Sequence, residues 1–552
     1  MFDWDNPYPT IRSPLFARNV VATSQSLAAQ AGLSIIAKGG NAVDAAIATA
    51  ACMTIVEPVS NGLGSDCFAL VWDPQKREGR SLHGLNASGV APAAWSVDYF
   101  TRKYGTAFPQ RGWDSVTVPG AVAGWVALSA KFGALPFADL LAPAIDLAER
   151  GYGMATIVSH KWGLQVPGLR DQPGFAAAFM PDGRAPHPGE RFVFPEAAVT
   201  LRAIAESRGE RFYRGDIAAR IAAHSRACGG VMTERDLGDY RVEWVVPIDK
   251  TYRDRDGHAY ALHEIPPNGQ GIAALMALGI ADRLDIARHP VDSIDAQHLL
   301  IEAMKLAFAD VYRYVADPRH MGEVTAGHLL DDGYLAERAR LIDPARASDF
   351  THGVPHRFVR PGGTIYLTTA DESGMMVSLI QSNYMGFGSG VVVPGTGISL
   401  QNRGAGFSLD PTHPNVVAGG KRPFHTIIPG FLTRTVDGMP VPQMSFGVMG
   451  GNMQPQGHLQ TLVRMLTYGQ QPQAACDAPR WKVSTGLSVD CEKTMAPALR
   501  EALIARGHRI EAIPDTYMDF GSGQFIWKLS DRAEDGYVAA SDSRRDGQAV
   551  GF

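Results

Sequence analysis

The chain has 552 residues, 45% hydrophobic and 19% charged, with a net charge of −5. That composition is ordinary for a folded globular protein and excludes global disorder. The weak negative charge comes without a basic run, which argues against nucleic acid or an anionic membrane as partner, and no stretch reaches the roughly 18 consecutive apolar residues of a membrane span.

At roughly 150 residues per domain, the length suits a few domains or one large α/β unit. The opening segment, MFDWDNPYPTIRSP, has acidic residues and prolines but no apolar run, so it does not read as a secretory signal. The cysteines are Cys52, Cys67, Cys228, Cys476 and Cys491, odd in number, far apart and without a CxxC. Neither a disulfide framework nor a zinc site is expected, and the chain reads as cytoplasmic.

The spacing predicts a helix over about 24–37, a Gly-Gly-Asn break, and a buried Ala-rich helix over about 41–53. Asn41 is placed to cap that second helix, with Asp44 in its first turn. The run EPVSNGLGSDCFALVWD then gives turn chemistry and an apolar strand over about 67–73. Residues 115–133, SVTVPGAVAGWVALSAKFG, read as a strand, a Pro-Gly turn and a helix ended by Gly133. Residues 134–245 read as mostly helical. A Pro/Gly-rich loop precedes another helix in ALHEIPPNGQGIAALMALGI, and residues 298–315 have an amphipathic helical period. Leu300, Met304, Ala307, Phe308, Val311 and Val315 make its apolar face. A polar, Pro-rich stretch over about 340–363 has the composition of an exposed linker.

After residue 363 the pattern becomes β-rich. TIYLTTA, the turn DESG and MMVSLIQSN form a hairpin signal. GFGSGVVVPGTGISL and IIPGFLTR follow as further strand-like runs, with helices at about 455–469 and 496–506. The chain thus divides into a mainly helical α/β portion, 1–363, and a β-rich portion, 364–552.

The division falls inside the tripeptide Gly362–Gly363–Thr364. Cutting the Gly363–Thr364 bond would make Thr364 an N-terminus with a hydroxyl and an α-amine on adjacent carbons. An α-amine has an ordinary pKa of about 7.7–8.0, so it can act as base for its own hydroxyl near neutral pH. The same hydroxyl can attack the Gly363 carbonyl, which a glycine leaves open to approach.

The wider pattern resembles the γ-glutamyltransferase family of N-terminal-nucleophile hydrolases, from about residue 18 to 530. GGNAVDAAIA (39–48), VPGAVAGW (118–125), EAMKLAFADVYRYVADP (302–318), TIYLTTADESGMMVSLIQSNYMGFGSG (364–390), KRPFHTIIP (421–429), GVMGGN (447–452) and DAPRW (477–481) are similar to that family's motifs, in order. The resemblance implies an α+β fold, the four-layer αββα sandwich. It implies self-cleavage at Gly363–Thr364 into two fragments that stay together as a heterodimer, with no cofactor and no metal. It also implies Thr364 as nucleophile, Ser382 as its hydroxyl neighbour, and the Gly450–Gly451 backbone as oxyanion hole.

The match breaks at the groups that hold the amino-acid head of a glutamyl substrate. Ser88 stands at the family's Arg position and Gly406 at its Asp. Tyr384 replaces a small amide, and His425–Thr426 replace a Ser pair. Asn402 and Arg403 complete the candidate substrate-binding set, with Arg403 suited to a carboxylate. The expected activity is hydrolysis of an amide of a small acidic substrate, γ-glutamyl or oxamate-like, with transfer if an amine intercepts the ester. A cephalosporin- or glutaryl-type acylase is the alternative. An unprocessed, inactive binding homologue is the alternative of another class.

Overall fold

The computed structural model describes residues 7–9, 12–350, 362–513 and 520–552. Two seven-stranded antiparallel sheets form its centre. The first runs Leu15–Ala17, Tyr537–Ser541, Gly523–Lys528, Met439–Val448, Gly430–Val436, Ala259–Glu264 and Ile248–Arg253. The second runs Gln548–Gly551, Val20–Thr23, Gly362–Ala370, Met376–Met385, Asp66–Trp72, Leu82–Ala87 and Glu243–Val245. Each sheet mixes strands from before and after residue 363, so neither portion completes a sheet alone.

Helices cover the two outer faces, giving the αββα sandwich. Ala42–Val56 lies on the second sheet and is buried along its whole length. Its alanines and threonines leave room for close helix–sheet approach. The Asn41 side chain accepts from Asp44 N, and the Asp44 carboxylate accepts from Asn41 N, so the expected cap is a capping box. Gly271–Ala281 and Met453–Leu462 cover the first sheet. Between the sheets, Thr368 Oγ1 meets Ser445 Oγ at 2.6 Å, and Gly447 lies under the Tyr366 ring. A methyl at Gly447 would come within 2.5 Å of that ring, so glycine sets the sheet spacing there.

Two expectations need correction. Residues 116–120 form no strand. That segment is extended but docks by single bonds, Val118 N to Val90 O and Gly120 N to Ser65 O. A Cβ on Gly89 or Gly120 would strike backbone oxygens at 1.8 and 1.9 Å, so the chains pass too close for a side chain between them. The helix Ile294–Tyr314 is not amphipathic in its first half, where Ala296 through Phe308 are all buried. Its polar residues there pair internally.

The stretch read as an exposed linker, about 340–363, is tethered at its start. Only 340–350 and Gly362–Gly363 of it fall within the described residues. His298 Nε2 lies 2.9 Å from Asp343 O, Glu302 Oε2 accepts from Ser348 N at 2.9 Å, and Lys305 Nζ bonds Glu302 Oε1 at 2.7 Å. His298 Nδ1 and His508 Nε2 are 2.8 Å apart. Burial holds both imidazoles neutral, pushing His508 down to about 3 and His298 down as well. No helix among the described residues is long and apolar enough to cross a membrane.

Candidate active site

Thr364 lies near the start of strand Gly362–Ala370, which pairs with Met376–Met385. The register passes from Gly363 opposite Tyr384 to Thr364 opposite Ser382, leaving Asn383 as an extra residue. This β-bulge faces the Gly363–Thr364 bond, where it interrupts the ladder and re-aims the side chains. Asn383 is drawn away by bonds from its N to Ser60 O and to its O from Asn402 N, both 3.1 Å. Tyr384, next along, takes a left-handed φ of 76°.

The bulge sets Thr364 Oγ1 3.0 Å from Ser382 Oγ. Ser382 Oγ also accepts from Tyr384 N at 2.8 Å and from Arg403 Nη2 at 3.4 Å. Arg403 opens the short turn Arg403–Gly406 and is wholly buried. Its Nη1 donates to Thr426 Oγ1 at 2.7 Å, the Tyr384 ring lies 4.2 Å from its Cζ, and its buried Nε has no partner. Burial lowers this guanidinium to about 10, against Asp66 and Tyr384, so it remains a cation at neutral pH.

Asp66 was not singled out from the sequence. It opens the strand Asp66–Trp72 beside Ser382 and is fully buried. Its Oδ2 meets His425 Nε2 at 2.9 Å, and its Oδ1 accepts from Gly89 N at 3.0 Å. Burial raises the carboxyl to about 7, opposed chiefly by Arg403. Ile427 N donates to His425 Nδ1 at 3.3 Å, so Nε2 carries the proton and donates to Asp66. The imidazole is held well below its usual range, by burial first and Arg403 second. The only sequence signal for Asp66 is a lone charge between a glycine-rich turn and an apolar strand.

Gly450 and Gly451 have φ of 114° and 61°. A Cβ on Gly450 would lie 3.0 Å from Gly521 Cα, so glycine is required there on both counts. Their carbonyls are bonded, Gly450 O by Met453 N and Gly451 O by Gln454 N and Gln270 Nε2. Neither amide N–H has an acceptor among the described residues. Across the sandwich Thr368 meets Ser445 and Tyr366 covers Gly447.

The remaining predicted residues separate. Asn402 shapes the bulge, accepting from Met385 N at 3.1 Å and donating to Gln110 O at 2.8 Å. Ser88 is spent on Asn86, 2.7 Å from its Oγ, and Asn268, 3.3 Å away, and has no bond to Thr364, Ser382 or Arg403. It is linked to the site through Asn268, whose O accepts from His425 N. At Gly406 a Cβ would sit 2.9 Å from Phe424 O, so the backbone would have to shift to admit an Asp. The cluster joined by direct bonds is therefore Thr364, Ser382, Tyr384, Arg403 and Thr426, with the Asp66–His425 pair beside it.

The gamma-glutamyltranspeptidase family model matches residues 28–552. The chain is 36% identical to the glutathione hydrolase-like YwrD proenzyme of Bacillus subtilis, over 98% of this chain and 100% of the relative. It is 37% identical to the oxamate amidohydrolase proenzyme of Klebsiella pneumoniae, over 95% of this chain and 97% of that one. A crystal structure of cephalosporin acylase from Bacillus halodurans superposes with a TM-score of 0.91 at 47% identity, covering 100% of this chain and 99% of that one. The chain belongs to the gamma-glutamyltranspeptidase family of N-terminal-nucleophile hydrolases, in a branch divergent from its classical members.

Proposed function

We propose that the chain cuts itself at Gly363–Thr364 and then hydrolyses the amide of a small carboxylic acid through an ester on Thr364. The Thr364 hydroxyl attacks the amide carbonyl and its freed α-amine takes the proton. The Gly450 and Gly451 N–H groups hold the oxyanion. The amine or ammonia leaves with the proton, and water, deprotonated by the same amine, resolves the ester. Fragments 1–363 and 364–552 stay associated, because each sheet needs strands of both.

The observation that carries this reading is Arg403, a buried cation with one unpartnered N–H, a single hydroxyl away from the nucleophile. Its two links through Ser382 Oγ, 3.4 and 3.0 Å, bound the separation of Nη2 and Thr364 Oγ1 by their sum. A carboxylate on Arg403 and a carbonyl on Thr364 therefore lie close together. An oxamate-like acid, whose carboxylate is bonded directly to the scissile carbonyl, fits that spacing. A γ-glutamyl group separates the two by three carbons, and the Gly406 site does not admit the family's Asp without moving backbone.

A side-by-side assay tests the substrate. Oxamate is expected to exceed a γ-glutamyl anilide in kcat/KM by about 10²-fold, the scale on which a pocket discriminates by size and fit. Faster release of the anilide would refute the short-acid reading. The similarity to the cephalosporin acylase structure favours a second reading, deacylation of a larger amide, and a glutaryl amide belongs in the same assay. Ser382→Ala is expected to slow both self-cleavage and hydrolysis about tenfold, the loss of one hydrogen bond to the nucleophile. Unchanged rates would remove Ser382 from the mechanism.

A further inference from the structure

Asp66 and His425 are both without solvent exposure, joined at 2.9 Å, and near enough to the equally buried Arg403 for its charge to act on both. Three independent ties fix them there. Asp66 is the register partner of Ser382, Thr426 next to His425 accepts from Arg403, and Gly89 N fixes the other carboxylate oxygen. The charged or titratable groups facing Asp66 are Arg403, Arg422, His425, Tyr213, Tyr240 and Cys67. With Asp66 ionised, it balances Arg403.

A substrate carboxylate docking on Arg403 would place a second anion beside that cation, Arg422 being already paired with Glu243 at 2.6 Å, among groups with almost no solvent exposure. An uncompensated buried charge costs several kcal/mol, and the carboxyl already sits at about 7. The smallest adjustment that restores neutrality is one proton on the pair. We propose that the Asp66–His425 pair takes up one proton from solvent when the carboxylate of the substrate docks on Arg403, which makes Asp66 a specificity-determining residue that couples anion binding to pH. This rests on the reading of Arg403 as a carboxylate receptor. The charge balances, with Arg403 cationic throughout, the pair passing from −1 to 0 and the incoming carboxylate supplying −1. The 2.9 Å bond already carries the Nε2 proton and Nδ1 accepts from Ile427 N, so the added proton rests on the Asp66 carboxyl, and the titration belongs to the coupled pair.

The test uses the self-cleaved protein and oxalate, the acid product of oxamate hydrolysis. Calorimetry at pH 7.5 in two buffers of different ionisation heat counts protons taken up on binding. The wild-type protein is expected to take up about one proton more than Asp66→Asn, and its oxalate Kd to weaken up to about tenfold per pH unit between 7 and 8.5. Uptake that survives in Asp66→Asn belongs to the Thr364 amine. Asp66→Glu is expected to restore the difference. Equal uptake in wild type and Asp66→Asn overturns the proposal, as does a pH-independent wild-type Kd, which needs no variant. If Arg403→Met still weakens oxalate binding in that case, the carboxylate reading stands and only the proton linkage fails. If Arg403→Met leaves oxalate binding unchanged, the carboxylate reading fails and takes the linkage with it.

Discussion

Thr364→Ala is expected to leave the 552-residue chain uncut and to remove amide hydrolysis, by about 10⁴-fold or more. The size follows from the absence of a substitute. Ser382 is the hydroxyl bonded to Thr364, but it lies inside a strand and no cleavage can give it an α-amine. The oxyanion donors alone would leave only a small residual rate. Thr364→Ser keeps hydroxyl and amine on adjacent carbons and is expected to cut and turn over, more slowly. Denaturing electrophoresis of the purified variants reads the cleavage, and release of ammonia from oxamate reads the turnover. A cut Thr364→Ala chain would move the nucleophile elsewhere.

Arg403→Met is expected to lower kcat/KM for oxamate by about 10²–10³-fold, most of it in KM, because a desolvated charge pair is lost. Arg403→Lys is expected to recover little. A lysine offers a point charge in place of the fork that now spans Thr426, Ser382 and the Tyr384 face. Self-cleavage should slow but still complete in both variants, since its substrate is the chain's own Gly363 carbonyl. That contrast separates substrate recognition from nucleophile chemistry. Normal oxamate hydrolysis by Arg403→Met would contradict the proposed receptor.

The local chemistry of the site was legible in the sequence. Ser382 and the Gly450–Gly451 pair were placed by the resemblance of the motifs around them, whereas Gly363–Thr364 carries a residue-type signal of its own, a β-hydroxyl after two glycines. Asn41 announced its helix in the same way, through a cap that needs only three residues. The interleaved sheets were less legible, because pairing Val20–Thr23 with Gly362–Ala370 depends on contacts over 340 residues apart. The absent strand at 116–120 shows the same limit: its β-branched residues suit a ladder, but Gly89 and Gly120 bring backbones together at points where no ladder forms. Asp66 was hidden for another reason. A single carboxylate acquires its character from burial and from His425, 359 positions away, and neither is written in its neighbours. The anchoring of 343–348 by His298, Glu302 and Lys305 was missed because a buried polar network looks, in sequence, like the solvated face of a helix.

The most direct measurement is the mass and N-terminal sequence of the purified wild-type protein under denaturing conditions. The account predicts two fragments in equal amount, the second with 189 residues of this chain beginning Thr364–Ile365–Tyr366. A single chain that stays intact through prolonged incubation, or a cut at any other bond, would contradict it.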